Sequence, residues 1–205
     1  MARQPTATAA TAGILTWPNL VTLVRLCCIP LFLVLLFGAD DRADAAYLLG
    51  ALGATDWVDG YLARRFGQIS DFGKIFDPTA DRMLFLVAVL AMLVDGSVPV
   101  WFGVLTLVRE GAVALSALVL GALGARRIDV TWIGKCATFA LMFSFPLFLA
   151  GHANLSWSGL AEVLAWACGL PGLALSYYAA WQYVPIARAA LQDGRRSARP
   201  APTIR

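Results

Sequence analysis

Charge is what this chain is short of. Only 14% of its 205 residues are Asp, Glu, Lys or Arg, while 60% are hydrophobic. A soluble domain of ordinary composition is about a quarter charged and about half apolar, so a water-soluble globule is excluded. Histidine is nearly absent: the one copy, His152, falls in a short loop and is read as solvated rather than catalytic. The four cysteines, Cys27, Cys28, Cys136 and Cys168, have neither zinc-site spacing nor the pattern of a disulfide framework. They are read as small, buried apolar packing groups. There is no internal repeat, and the net charge of +3 gives no argument for nucleic acid. No small-x-small cleavage site precedes Asp40, so the first apolar block is not a signal peptide.

What is present is hydrophobic length. Blocks long enough to cross a bilayer, about 20 residues each, are read at 18–38, 45–66, 74–94, 99–122, 131–150 and 159–184. The breaks carry familiar signals: Phe37-Gly38-Ala39-Asp40, Asp95-Gly96-Ser97, Gly121 through Arg127, and Gly151-His152-Ala153-Asn154. The expected fold is all-α, an integral membrane bundle of six transmembrane helices spanning 17–187. An Ala- and Thr-rich leader (1–16) is expected to be disordered, and a basic cytoplasmic tail follows (188–205). Lys and Arg residues concentrate at one side: Arg64, Arg65, Lys74, Arg82, Arg126, Arg127, Lys135 and the tail arginines, against Arg42 alone on the other. The positive-inside rule then orients the bundle N-in/C-in. Most Trp and Tyr residues sit near span ends, as interfacial anchors do.

Inside this apolar frame lies Asp56-Trp-Val-Asp59-Gly60-Tyr-Leu-Ala63-Arg64, then Gly73, Asp77 and Asp81. Charges at membrane depth are costly and are rarely kept without a task. Positions 56, 59/60 and 63/64 share one helical stripe, and 77 and 81, four apart, share a face of the next helix. The short link between the two helices makes them antiparallel neighbours, so both carboxylate pairs converge on one cavity. Four carboxylates left alone would repel one another. An all-oxygen set without His or Cys suits a hard ion, Mg²⁺ or Mn²⁺, rather than zinc. Two such ions about 3.5–4 Å apart would serve in-line displacement at phosphorus. Arg64 suits a phosphate oxygen, and Gly60, Ala63 and Gly73 leave room for a ligand near the backbone.

The pattern D-x2-D-G-x2-A-R-x8-G-x3-D-x3-D resembles the signature of the CDP-alcohol phosphatidyltransferases, with every fixed position filled. Pro18-Asn19-x2-Thr22-x2-Arg25 is similar to the family's entry to its first span. The resemblance implies metal-dependent transfer of a phosphatidyl group from CDP-diacylglycerol to an alcohol, with release of CMP. On that resemblance Asp56, Asp59, Asp77 and Asp81 ligate the metals, and Asp81 also acts as general base. Asp56, Gly60, Ala63, Arg64 and Gly73 line the CDP site. A homodimer in the bacterial inner membrane, its active site cytoplasmic, is also implied. Other readings of the same aspartates are pairing with Arg64, Arg65 and Arg82, or an ion or proton relay. As whole-protein classes, an inactive lipid-binding relative and a transporter compete. No carboxylate is missing, however, and the paired repeats of a transporter are not seen.

The acceptor is read from Arg109-Glu110 and from Gly134-Lys135, which resemble the branch holding phosphatidylglycerophosphate synthases and CMP-forming cardiolipin synthases. Arg109, Lys135 and Arg126 are candidate acceptor-binding cations. Two cations that the glycerol 3-phosphate enzymes tend to carry are replaced here by Ala117 and Ala137. Phosphatidylglycerol is therefore the favoured acceptor, glycerol 3-phosphate the alternative and an inositol phosphate third. One test follows from the carboxylates alone. Asp81→Asn should abolish CMP release while leaving the melting temperature in detergent unchanged.

Overall fold

Long runs of Leu, Ala and Val, good or tolerated helix formers in an apolar setting, take the form of helices wherever the chain is described. The computed structural model describes residues 17–66, 73–122 and 131–197, with side chains at 23–55, 82–116, 118–119 and 131–182. All regular structure among the described residues is helical. The helices are α1 (Trp17–Leu33), α2 (Arg42–Phe66), α3 (Gly73–Asp95), α4 (Val100–Ala122), α5 (Trp132–Gly151) and α6 (Ser158–Ser197). Two segments, Trp132–Gly151 and Ser158–Gln182, are each long and apolar enough to cross a membrane.

The helix ends follow local chemistry. α1 loosens into a π-helical turn, Val34–Gly38, closed by the Ala39 amide donating to the Val34 carbonyl at 2.9 Å. The reversal is made by Asp40 at φ 52°, because a short polar side chain tolerates the left-handed region. Asp41 then caps α2, its Oδ1 accepting from the amides of Ala43 (3.1 Å) and Asp44 (3.0 Å). Gly96, at φ 80°, ends α3, and the Thr131 hydroxyl oxygen caps α5 by accepting from the Gly134 amide at 3.2 Å. α6 runs unbroken through Ser197, past the expected end at 184 and into the segment read as a tail. Ala, Leu, Gln and Arg between 187 and 196 favour continuing the helix over ending it.

Short links make successive helices antiparallel. The packing order is a ring: α1 against α2, α2 against α5, α5 along α6, α6 against α4, α4 against α3 and α3 back to α1. Half of this ring is solidly filled. Phe32 of α1, Leu36 of the π-helical turn, Val89 and Met92 of α3, and Phe145 and Phe148 of α5 are buried there. Phe102 of α4 lies 5.3 Å from Phe148, and Trp166 of α6 meets Phe148 edge-on at 4.9 Å. At this end Arg42 opens α2 with a two-pronged ion pair to Asp95 at the end of α3, Nε–Oδ2 3.1 Å and Nη2–Oδ1 2.9 Å. It also reaches Asp40 at 3.2 Å. The Asp95 hydrogen bond raises the Arg42 guanidinium above its ordinary value against the opposing effect of burial, so the clasp keeps its cation.

The cysteines correct one expectation. None of the four is buried: Cys27 and Cys136 are exposed, Cys28 and Cys168 partly so, and all are free. A thiol inside an apolar block is as well suited to face lipid as to face another helix.

α5 and α6 pack closely because little stands between them. A side chain begun at Gly169 would lie 2.5 Å from Ser144 Oγ and 2.9 Å from Phe102 Cζ. The same Ser144 hydroxyl donates to the Ala165 carbonyl at 2.9 Å. Gly169→Leu should destabilise the fold by about 1–3 kcal/mol through overpacking, read as a lower melting temperature in detergent. Val163→Ala, at an outward position, should shift stability by no more than about 0.5 kcal/mol.

Candidate active site

Toward the other end of the ring, where α2 and α5 give way to the links 67–72 and 123–130, the helices do not close on one another. They surround a cavity of about 290 Å³. Its deep wall is apolar, formed by Leu49 and Leu52 of α2, Leu84 and Ala88 of α3, and Met142 and Phe145 of α5. Gly134 and Thr138 line the α5 side, and Ala180 the α6 side. Four charged side chains line it as well: Arg25 from α1, Arg82 from α3, and Arg109 with Glu110 from α4.

The cavity and the aspartates meet by register. On α2 the lining positions 49, 52 and 53 step by three or four residues, and the same steps continue to 56, 59/60 and 63. On α3 the lining positions 88, 85 and 84 continue to 81 and 77 in the opposite direction along the chain. One turn, about 5.4 Å, separates the described wall from the first carboxylate on each helix. Asp56, Asp59, Gly60, Ala63 and Arg64 thus belong to α2, and Gly73, Asp77 and Asp81 to α3; their side chains lie outside the described residues. Arg126 lies outside them altogether. Among the described residues no group of three or more His, Cys, Asp or Glu side chains could hold a metal.

The donor set nevertheless fits a hard divalent ion. The stripes that carry the four carboxylates run out of the walls of one shared cavity rather than onto opposite faces of the bundle. That cavity can admit a ligand as well as an ion.

Arg109 is the most constrained of the cations. It is 8% exposed, it ion-pairs through Nη1 with Oε1 of Glu110, and its Nε is buried with no hydrogen-bond partner. An unpartnered buried donor is expensive. Arg25 is 4% exposed, whereas Arg82 is exposed. The structure does not bring Lys135 to this wall: Gly134 and Thr138 line the cavity, and Lys135, about 100° further around α5, is exposed.

Reasoning from sequence singled out Arg109 and passed over Arg25, Arg82 and Glu110 as site residues. A signal was available for each, since a charge within an expected span marks a functional position by default.

Comparison with known proteins gives the same picture. Residues 15–171 match the family model described as CDP-alcohol phosphatidyltransferase. The chain is 36% identical over 179 residues to a protein of Streptomyces coelicolor named cardiolipin synthase (CMP-forming), covering 85% of this chain and 83% of that one. It is 32% identical over 146 residues to the Bacillus subtilis CDP-diacylglycerol–glycerol-3-phosphate 3-phosphatidyltransferase, covering 64% and 75% of the two chains. A Shigella flexneri protein of that same name is 32% identical over 183 residues, 86% of this chain and 97% of the other.

The lining arginines yield a test. Arg82→Ala removes an exposed cation from the cavity wall. It should lower kcat/KM about tenfold or more, the worth of a hydrogen bond to a charged group, while the melting temperature stays within a degree or two.

Proposed function

Because the chain belongs to the CDP-alcohol phosphatidyltransferase family, an enzyme family of phospholipid synthesis, we propose the following reaction for it. The protein moves a phosphatidyl group from CDP-diacylglycerol to phosphatidylglycerol, forming cardiolipin and releasing CMP. The observation that carries this reading is the cavity whose α2 and α3 walls continue, turn by turn, into the four aspartate positions, with the buried Arg109 in its lining.

In this reading Asp56, Asp59, Asp77 and Asp81 hold two divalent ions, Mg²⁺ or Mn²⁺; the family is one that uses divalent metals. Bound there, the ions offset the charge of the pyrophosphate and of the departing CMP. Arg64 bonds a phosphate oxygen of the donor, and Gly60, Ala63 and Gly73 let the nucleotide approach the backbone. Asp81 accepts the proton of the attacking hydroxyl, so that the alkoxide forms only beside the phosphorus. Arg25 and Arg82 extend the cationic lining toward the donor pyrophosphate. Arg109 faces the acceptor's phosphate, and Arg126 is a further cation for it.

The acceptor preference rests on missing charge. Ala117 and Ala137 stand where glycerol 3-phosphate enzymes tend to carry Arg and Lys. Ala137 is fully buried, so its position has no open space for a longer side chain. A singly charged phosphodiester asks for fewer cations than a dianionic monoester does. The second reading, glycerol 3-phosphate as acceptor, is favoured by relatives of that name at similar identity.

We place the enzyme in a bacterial cell membrane as a homodimer of six-span chains, both termini cytoplasmic, with the carboxylate end of the bundle facing the cytoplasm. That end bears most of the Lys and Arg residues.

The deciding experiment incubates purified protein with CDP-diacylglycerol, Mg²⁺ or Mn²⁺, and each acceptor separately, and measures CMP. Turnover with phosphatidylglycerol is expected. Turnover with glycerol 3-phosphate but not with phosphatidylglycerol would reverse the preference, and turnover with neither would sink the acceptor assignment.

A further inference from the structure

We infer that Glu110 reads the second, non-reacting hydroxyl of a glycerol-type acceptor and so sets specificity for a phosphorylated polyol over a simple alcohol. The inference rests on the acceptor reading above and names a chemical feature common to both candidate acceptors.

The argument begins with where α4 puts its residues. Leu105, Val108, Leu115 and Leu118 are exposed on the outside of the bundle, while Phe102, Thr106 and Arg109 are buried. Glu110 falls on the inward side with Arg109, its side chain 12% exposed, and both line the cavity. Ten residues into α4, about 15 Å along its axis, a carboxylate is a costly group to keep. Its pairing with Arg109 offsets that cost but leaves a remainder. The ion pair joins Glu110 Oε1 to Arg109 Nη1. Among the described residues no hydrogen bond engages Glu110 Oε2, and Arg109 Nε is buried without a partner. Both side chains line the cavity, and the group the pair can offer there is the Glu110 oxygen that Arg109 does not engage, since Arg109 Nε is sealed inside the protein.

The charge of the surroundings says what such a pair is suited to bind. The other charged groups that line the cavity among the described residues are Arg25 and Arg82, both cations, which suit phosphate oxygens. Glu110 does not: an ionised carboxylate only accepts hydrogen bonds, and a phosphate has none to give. A neutral hydroxyl does. An acceptor bearing a phosphate and a vicinal hydroxyl would meet the lining arginines with the one and Glu110 Oε2 with the other. Phosphatidylglycerol and glycerol 3-phosphate share that unit. A site built to bond a hydroxyl rejects the analogue lacking it, because the carboxylate oxygen is then left unpaired in the occupied site.

The test uses two pairs of acceptors that differ only at the middle carbon. One pair is phosphatidylglycerol against phosphatidyl-1,3-propanediol; the other is glycerol 3-phosphate against 3-hydroxypropyl phosphate. Each deoxy analogue keeps its phosphate and its reacting primary hydroxyl. The wild-type protein should favour the glycerol compound of the pair it uses by about tenfold or more in kcat/KM, the worth of one hydrogen bond to a charged group. Glu110→Gln should raise KM for the glycerol compound and bring the ratio within the pair down to about twofold, with KM for CDP-diacylglycerol unmoved and the melting temperature lowered by the loss of the Arg109 ion pair. Equal losses on both members of a pair would overturn the inference and reduce Glu110 to a support for Arg109. So would a wild-type protein indifferent to the middle hydroxyl. Failure of the acceptor reading looks different, since it abolishes turnover with every glycerol-bearing compound.

Discussion

An ionised side chain inside an apolar bundle must face either a partner or an enclosed polar space, and this requirement organises the molecule. Arg25, Arg82, Arg109 and Glu110 come from three different helices, and all four border one cavity. Helices that carry charges toward a common axis cannot also interlock there, so the ring stays open over that stretch. The remaining length must supply the cohesion. It does so with the buried aromatic side chains of α4 and α5, joined by the partly buried Trp166 of α6, and with the Arg42–Asp95 clasp between the start of α2 and the end of α3. One end of the bundle is packed so that the other can be open.

This division separates the two halves of the chemistry. The donor is an anhydride of fixed kind, and the residues for it repeat along α2 and α3 at helical intervals. On the proposed reading the acceptor is met by α4, whose Arg109 and Glu110 line the same cavity, and the donor by α2 and α3. Reaction type and acceptor choice thus sit on different helices. α4 can change without disturbing the carboxylate geometry, an arrangement suited to a family whose members differ in the alcohol they take.

Much of the fold was legible in the residues themselves. Helix limits fell within a few positions of Asp40, Asp95-Gly96 and Gly151 because those residues stop helices by local backbone chemistry. That 56, 59/60 and 63 share one stripe of α2 was legible too, since a stripe is set by the 3.6-residue period alone. Periodicity names a face but not its neighbour. The order of the ring, the exposure of Cys27 and Cys136, and the pairing of Arg109 with the residue next to it in sequence depend on which helices meet, and single-chain spacing is silent on that. Lys135 illustrates the point: one residue from Gly134 on paper, it is a third of a turn away from the cavity in space. The continuation of α6 to Ser197 was missed for another reason. An expected membrane span ends where apolarity ends, while a helix ends where its backbone does.

The seam between α5 and α6 has a mechanical consequence. With Gly169 against Ser144 and Phe102, and with the Ser144–Ala165 hydrogen bond in place, those two helices share backbone-level contacts and behave as a single stiff body. α4 is held differently: it rests on α3 and α6 with far less shared surface, tied to α6 by the Tyr177 hydroxyl on the Leu105 carbonyl at 2.9 Å. The compliance of the bundle is therefore uneven around its circumference. Whatever breathing the ring undergoes is concentrated along the two flanks of α4, beside Arg109 and Glu110. On the proposed reading, the helix that meets the acceptor is also a loosely held one when the wall yields.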